Sequence, residues 1–347
     1  MIFFANETLK KACCFSVSFW CVGLNPCHHQ LDQKGAGPGA RSSHAIAVVG
    51  RKVYAFGGEQ TPRIPVDNHL HVLDLDDLTW SVAAVMGDAP PSRVGVTMTA
   101  VGDTIYVFGG RDGKHEELNE FYSLDTRSNK WTQLSGGDSG PRHRSYHSMT
   151  SDERHVYVFG GCGAAGRLND LWAFDVVERK WTEYPLPGES CKGRGGAGLA
   201  AVGGKVWVVY GFSGDELDDV HCFEAEEGGG WTQVETTGQK PTPRSVFSTV
   251  AIGKRIVMSG GEVDPSDKGH LGAGKFSGEV YALDTETLSW SLVEDGAEAG
   301  CEHPGPRGWC AYSPGQWGGE GGLLVYGGNS PSNDRLGDLF FFAPLLK

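Results

Sequence analysis

Short apolar runs of β-branched and aromatic residues that stop at glycine recur along the chain. Val53-Tyr54-Ala55-Phe56 ends at Gly57-Gly58, and the pattern returns at 105–110, 156–161 and 256–261. Two variants complete the set: 206–212, with Gly211 read as the first glycine, and 323–328. The first glycines stand at 57, 109, 160, 211, 260 and 327, a period of about 50 residues. A further strand-like run follows each pair, at 70–74, 120–125, 170–175, 219–224, 279–284 and 338–342. Then comes a tryptophan, at Trp80, Trp131, Trp181, Trp231 and Trp290. Period-two runs broken by Gly, Asp, Asn and Pro predict short β-strands and no helices. A unit this small cannot bury both faces alone, so six copies predict radial stacking around an axis, an all-β six-bladed propeller. The large tryptophans are expected to pack between blades.

The last unit has no outer strand of its own. Residues 28–34 are expected to supply it, so that the N-terminal strand pairs with the C-terminal blade. His28 then stands where the other units have tryptophan. The expected boundaries are an atypical leader over 1–30 and one propeller over 31–347. Lys10-Lys11 followed by an apolar stretch at 13–24 has the outline of a short secretory signal. The stretch lacks a small-x-small cleavage site, and the leader is read as non-secretory.

Composition agrees with a turn-rich folded chain. Of 347 residues 52 are glycine, without a collagen period, and ten Trp, ten Tyr and sixteen Phe supply a core. No apolar run is long enough for a spanning helix. The formal charge of −13 argues against nucleic-acid and anionic-membrane partners, which need a basic face. Nine scattered cysteines without a Cys-x-x-Cys pair read as reduced thiols, which fits a cytoplasmic or nuclear setting.

Two features carry candidate chemistry. An arginine precedes each unit, at Arg41, Arg93, Arg144, Arg194, Arg244 and Arg307. Six equivalent arginines form a ring, and their planar forks suit sulfate, phosphate or carboxylate. The other reading is that each arginine holds loops together through backbone carbonyls and acids. The second feature is an insertion after Gly261, residues 262–274, carrying Glu262, Asp264, Asp267 and His270. Carboxylates with an imidazole suit a divalent first-row metal. An ordinary acidic loop would look the same.

The repeat resembles the kelch β-propeller over about residues 31–343. Between the shared kelch positions the chain is similar to the plant specifier proteins, which form nitriles, epithionitriles or thiocyanates. The matching segments include Pro38-Gly39-Ala40-Arg41-Ser42-Ser43-His44, Pro243-Arg244-Ser245-Val246-Phe247 and Pro306-Arg307-Gly308-Trp309. The resemblance implies action on the thiohydroximate-O-sulfate aglucone that myrosinase releases from glucosinolates, with the product diverted from isothiocyanate. It also implies Fe(II), held by a Glu-x3-Asp-x3-His motif. Glu262 and His270 match that motif, while Ser266 replaces its Asp, leaving Asp264 or Asp267 as substitutes. In this reading Arg93, Arg144, Arg194 and Arg244 hold the sulfate and Trp309 shelters the variable side chain. The alternatives are a non-catalytic kelch module that binds a protein peptide at the mouth, and a specifier relative that has lost iron.

Overall fold

The computed structural model describes residues 27–135, 139–225, 229–296 and 302–344, the side chains of Cys27 and His270 excepted. Six antiparallel sheets follow one another along the chain. Blade 1 runs from inside out as Ser42–Val49, Lys52–Glu59, His71–Asp74 and Thr79–Val82. Blades 2 to 5 repeat this order, and blade 6 is Ala311–Trp317, Glu320–Asn329 and Arg335–Ala343. Short parallel strands at Lys34–Gly35, Met86–Gly87 and Thr237–Gly238 extend blades 1, 2 and 5 outward. No helix among the described residues is long and apolar enough to cross a membrane.

Cys27–Gln30 supplies the outer strand of blade 6, pairing antiparallel with Arg335–Ala343 from Cys27↔Ala343 to Gln30↔Phe340. The closure is the one the repeat count predicts. This strand lies within the expected leader 1–30, and residues 1–26 of that leader lie outside the described residues. His28 pairs with Phe342 as Trp131 pairs with Leu124 in blade 2, so it occupies the tryptophan position. It is buried, with Nδ1 2.8 Å from Glu294 Oε2 of blade 5.

Each tryptophan packs against an aromatic ring of the preceding blade. Trp131 meets Phe56, Trp181 meets Phe108, Trp231 meets Phe159 and Trp290 meets Tyr210, at 5.7–6.0 Å between centroids. Trp80 closes the circle on Tyr326 of blade 6 at 5.6 Å. The core therefore lies between blades, and truncating a fully buried ring, Trp131 or Trp290, to alanine costs about 3–5 kcal/mol.

The glycine pairs serve close approach. A Cβ on Gly57, at φ +74°, would stand 2.8 Å from the Arg93 carbonyl of the next blade. Blade 4 departs from the sequence reading. Tyr210, not Gly211, takes the first position, because its carbonyl accepts the Arg194 hydrogen bond that the first glycine accepts in the other blades. Tyr210 holds φ +55°, a costly conformation for a residue with a Cβ. Its ring packing on Trp290 and its hydroxyl bond to the Pro241 carbonyl offset that cost.

Candidate functional site

The second residue after each arginine is left-handed: Ser43, Gly95, Tyr146, Gly196, Val246 and Trp309, with φ from +49° to +60°. In each blade the N–H of this residue donates to the carbonyl of its counterpart in the preceding blade. Gly95 donates to Ser43, Tyr146 to Gly95, Gly196 to Tyr146, Val246 to Gly196, Trp309 to Val246 and Ser43 to Trp309, all at 2.8–3.0 Å. Six backbone hydrogen bonds thus close a ring around the mouth of the channel. Four of the six positions carry side chains in a conformation that favours glycine. Such strain persists where a fixed side-chain direction is maintained by its surroundings.

The arginines sit beneath this ring and do not face it. All six are buried, between 0 and 5 % exposed. One guanidinium nitrogen of each donates to the carbonyl of the first-glycine position at 2.9–3.2 Å. Each also pairs with a carboxylate: Arg41 with Asp67, Arg93 with Glu120, Arg144 with Asp170, Arg194 with Asp219, Arg244 with Glu279 and Arg307 with Asp338. Their charge is neutralised inside the fold. The expectation that Arg93, Arg144, Arg194 and Arg244 hold a substrate sulfate is therefore corrected, and the loop-holding reading stands.

A cavity of about 250 Å³ opens above the ring, lined by Tyr146, Cys162, Arg167, Phe212, Glu262 and Trp309 among others. It shares Tyr146, Gly196, Val246 and Trp309 with the central channel below. Trp309 lines this cavity. Its ring meets Tyr146 edge-on at 5.4 Å, across the mouth from the opposite blade.

Strands of blades 3 and 4 extend upward to build one wall. Tight turns let His155–Gly163 run into Gly166–Asp175, and Lys205–Phe212 into Glu216–Glu224. Register pairs Cys162 with Arg167 and Phe212 with Glu216. The Arg167 guanidinium lies over the Phe212 ring at 4.6 Å, and its Nη1 donates to Cys162 Sγ at 3.1 Å. No carboxylate pairs with Arg167 among the described ion pairs, in contrast to the buried six. Neither Arg167 nor Glu216 occupies a repeat position, so the sequence pattern does not mark them.

The blade-5 insertion is a hairpin, Glu262–Asp264 paired with Lys275–Phe276, with a short helical turn at Gly269–Leu271. Glu262 is buried and its Oε1 accepts the Gly274 N–H at 3.1 Å. A Cβ on Gly274 would fall 2.2 Å from that oxygen, so glycine is needed there to seat the carboxylate. Burial pushes Glu262 up to about 7, with Asp264 adding like charge. Glu216 rises further, to about 8, from burial and from the nearby Glu262.

The iron expectation finds one buried donor here. Asp264 and Asp267 are exposed, and Ser266 Oγ accepts the Lys268 N–H. The His270 side chain lies outside what is described. The clusters of three metal-ligating groups among the described residues include no residue of this hairpin. Among the described side chains, Glu262, Asp264, Ser266 and Asp267 do not form a ligand set for iron on their own.

Residues 29–261 match the KLHDC2/KLHL20/DRC7 Kelch-repeats domain. The chain is 44% identical over 339 residues to N-(sulfonatooxy)prop-2-enimidothioate sulfolyase of Thlaspi arvense, covering 90% of this chain and 96% of that protein. It is 32% identical over 214 residues to Kelch domain-containing protein 3 of Bos taurus, 55% of this chain and 56% of that one. Among solved structures, one titled "Structure of YjhT" superposes with a TM-score of 0.68 at 16% identity, over 89% of this chain and 95% of that chain, which shows the fold alone.

Proposed function

The chain belongs to the kelch-repeat propellers and, within them, to the plant specifier-protein family, and on that premise we propose that its mouth cavity binds an N-sulfonatooxy imidothioate and directs its breakdown to a nitrile. Such a molecule carries a thiolate and a sulfate ester on one C=N group. Left alone, its side chain migrates from carbon to nitrogen as sulfate leaves, giving isothiocyanate. Nitrile forms instead when the N–O bond breaks with its electron pair going to sulfate, while the C–S pair becomes the third C–N bond and sulfur leaves at the zero oxidation level to a thiolate in solution, which becomes a persulfide.

The observation that carries this reading is Arg167, a cation at the cavity wall over Phe212 and facing Trp309 across a small space. Its fork suits the sulfate oxygens. Trp309, Tyr146 and Phe212 grip the side chain and oppose its migration. Glu262, raised to about 7 by burial, is about half protonated near neutral pH, and Glu216 behind it, raised to about 8, is mostly neutral. Protonation of Glu262 lessens the repulsion of an incoming dianion, and the protonated carboxyl donates a hydrogen bond to the departing sulfate. The substrate would reach the cavity after myrosinase releases it, which couples the two proteins in function. Free thiols at Cys162, Cys191, Cys222 and Cys310 support a cytoplasmic setting. A cavity of this size suits a small molecule better than a peptide.

The test mixes purified protein with myrosinase and an aliphatic glucosinolate, with and without added Fe(II), and measures nitrile against isothiocyanate. A nitrile fraction no higher than with myrosinase alone, in both conditions, sinks the reading.

A further inference from the structure

Blade 1 breaks the repeat at one place that the mouth cavity does not use. In blades 2 to 6 the third strand is led by the acid that holds the buried arginine: Glu120, Asp170, Asp219, Glu279 and Asp338. Two residues later stands a ring: Tyr122, Trp172, His221, Tyr281 and Phe340. Three of these lie against the guanidinium, at 5.3–5.4 Å, and His221 bonds its own acid, Asp219, at 2.7 Å. The register Leu73↔Trp80 puts His69 at the acid position of blade 1 and His71 at the ring position. The acid has moved two residues back, to Asp67, and it holds Arg41 through a single oxygen at 3.2 Å. Asp170, Asp219 and Asp338 spend both oxygens on their arginines.

We propose that Asp67, His69 and His71 form a binding site for a divalent first-row transition metal. The ligand atoms of the three side chains lie within 4.8 Å of one another. His71 is 6 % exposed, yet neither of its ring nitrogens has a hydrogen-bond partner. Its Nε2 faces Asp67 Oδ2 at 3.9 Å, beyond hydrogen-bond reach and close to the separation of two ligands on one ion. Metal–ligand bonds of about 2.0–2.2 Å place tetrahedral ligands roughly 3.3–3.6 Å apart, so small side-chain shifts complete the geometry. Burying an imidazole without a partner costs about 1–3 kcal/mol, a cost that a bound cation removes. His69 is exposed, with its ring 6.0 Å from that of His71, and leaves one side of the ion open to solvent. Two imidazoles and one carboxylate select zinc, iron, cobalt, nickel or copper over calcium and magnesium.

The other cluster of this kind, His28, Glu294 and His303, lacks the right lone pairs. His303 Nδ1 accepts the Gly305 N–H at 2.9 Å, so its Nε2 carries the proton towards Glu294.

The test titrates the full chain, first stripped with chelator, with Co(II), following visible absorption and equilibrium dialysis. Bands of a nitrogen-ligated, four- or five-coordinate ion are expected. His69→Gln, at an exposed position, and His71→Phe, which installs the residue blade 6 carries as Phe340, are each expected to weaken Co(II) binding at least tenfold. Urea midpoints of the unloaded variants check that both remain folded. Glu262→Gln, which alters the blade-5 hairpin, should leave the absorption intact. Absence of Co(II) binding, unchanged affinity in both histidine variants, or loss of the signal in Glu262→Gln alone would overturn the proposal.

Discussion

The rings of Tyr146 and Trp309 meet edge-on across the channel mouth, 5.4 Å apart, each from a backbone that prefers glycine. The equivalent ring positions in blades 2 and 4 are Gly95 and Gly196, so the hydrogen-bonded circle accepts glycine without loss. Trp309→Gly relieves strain at φ +60° while removing one wall of the cavity. Stability is expected to stay within about 1 kcal/mol of wild type, and nitrile formation to fall at least tenfold. Urea denaturation and product partition, run on the same preparation, separate the two effects.

The buried arginines predict the opposite division. Asp170 bonds both terminal nitrogens of Arg144, at 2.7 and 2.8 Å, and also accepts the Trp172 indole N–H. Asp170→Ala leaves a guanidinium with 0 % exposure short of its counter-charge. A loss of about 3–5 kcal/mol in unfolding free energy is expected. Activity per folded molecule should be close to unchanged, because neither residue lines the cavity.

Acid stability gives a third check. His147 lies at the channel, and burial, helped by the Arg144 charge, lowers its pKa to about 3. Between the unfolded value of about 6.5 and that folded value the unfolded chain holds the extra proton. Stability is therefore complete above about pH 6.5 and falls as pH drops, by up to about 1.4 kcal/mol per pH unit from this residue alone. Burial lowers the His44 pKa as well, with the Arg41 charge adding to it, and so deepens the slope. Unfolding free energies measured from pH 7 to pH 4 should show it, and His147→Asn should flatten it. An unchanged slope in the variant would assign the acid sensitivity elsewhere.

The fold was legible because its determinants are local and repeated. Glycine pairs, the following tryptophan and the missing outer strand of blade 6 each stand in the sequence at fixed intervals. In blade 4 Gly211 imitates the first glycine, and only the Arg194 hydrogen bond to the Tyr210 carbonyl reveals the true register. The arginine ring is visible in the sequence, and both of its readings, anion binding and loop holding, stay open until the fold decides between them. Arg144 and Asp170 are 26 residues apart, and only the folded blade brings them together. Arg167 and Glu216 follow no repeat. Their one sequence signal is the short distance from Gly160 to Asp170 and from Tyr210 to Asp219, which continues the strands past the glycines and carries Arg167 to the cavity wall and Glu216 behind it, bonded to the lining Ser245.

Product partition by an Arg167 variant tests the central claim most directly. Arg167 is half-buried, its guanidinium rests on Phe212, and its removal leaves none of the buried carboxylates unpaired. With myrosinase and an aliphatic glucosinolate, the wild-type chain should raise nitrile at the expense of isothiocyanate. Arg167→Gln should return the partition towards that of myrosinase alone, with its urea midpoint unchanged. A variant that folds normally and forms nitrile as well as wild type would contradict the placing of the sulfate at this residue, and with it the assignment of the cavity.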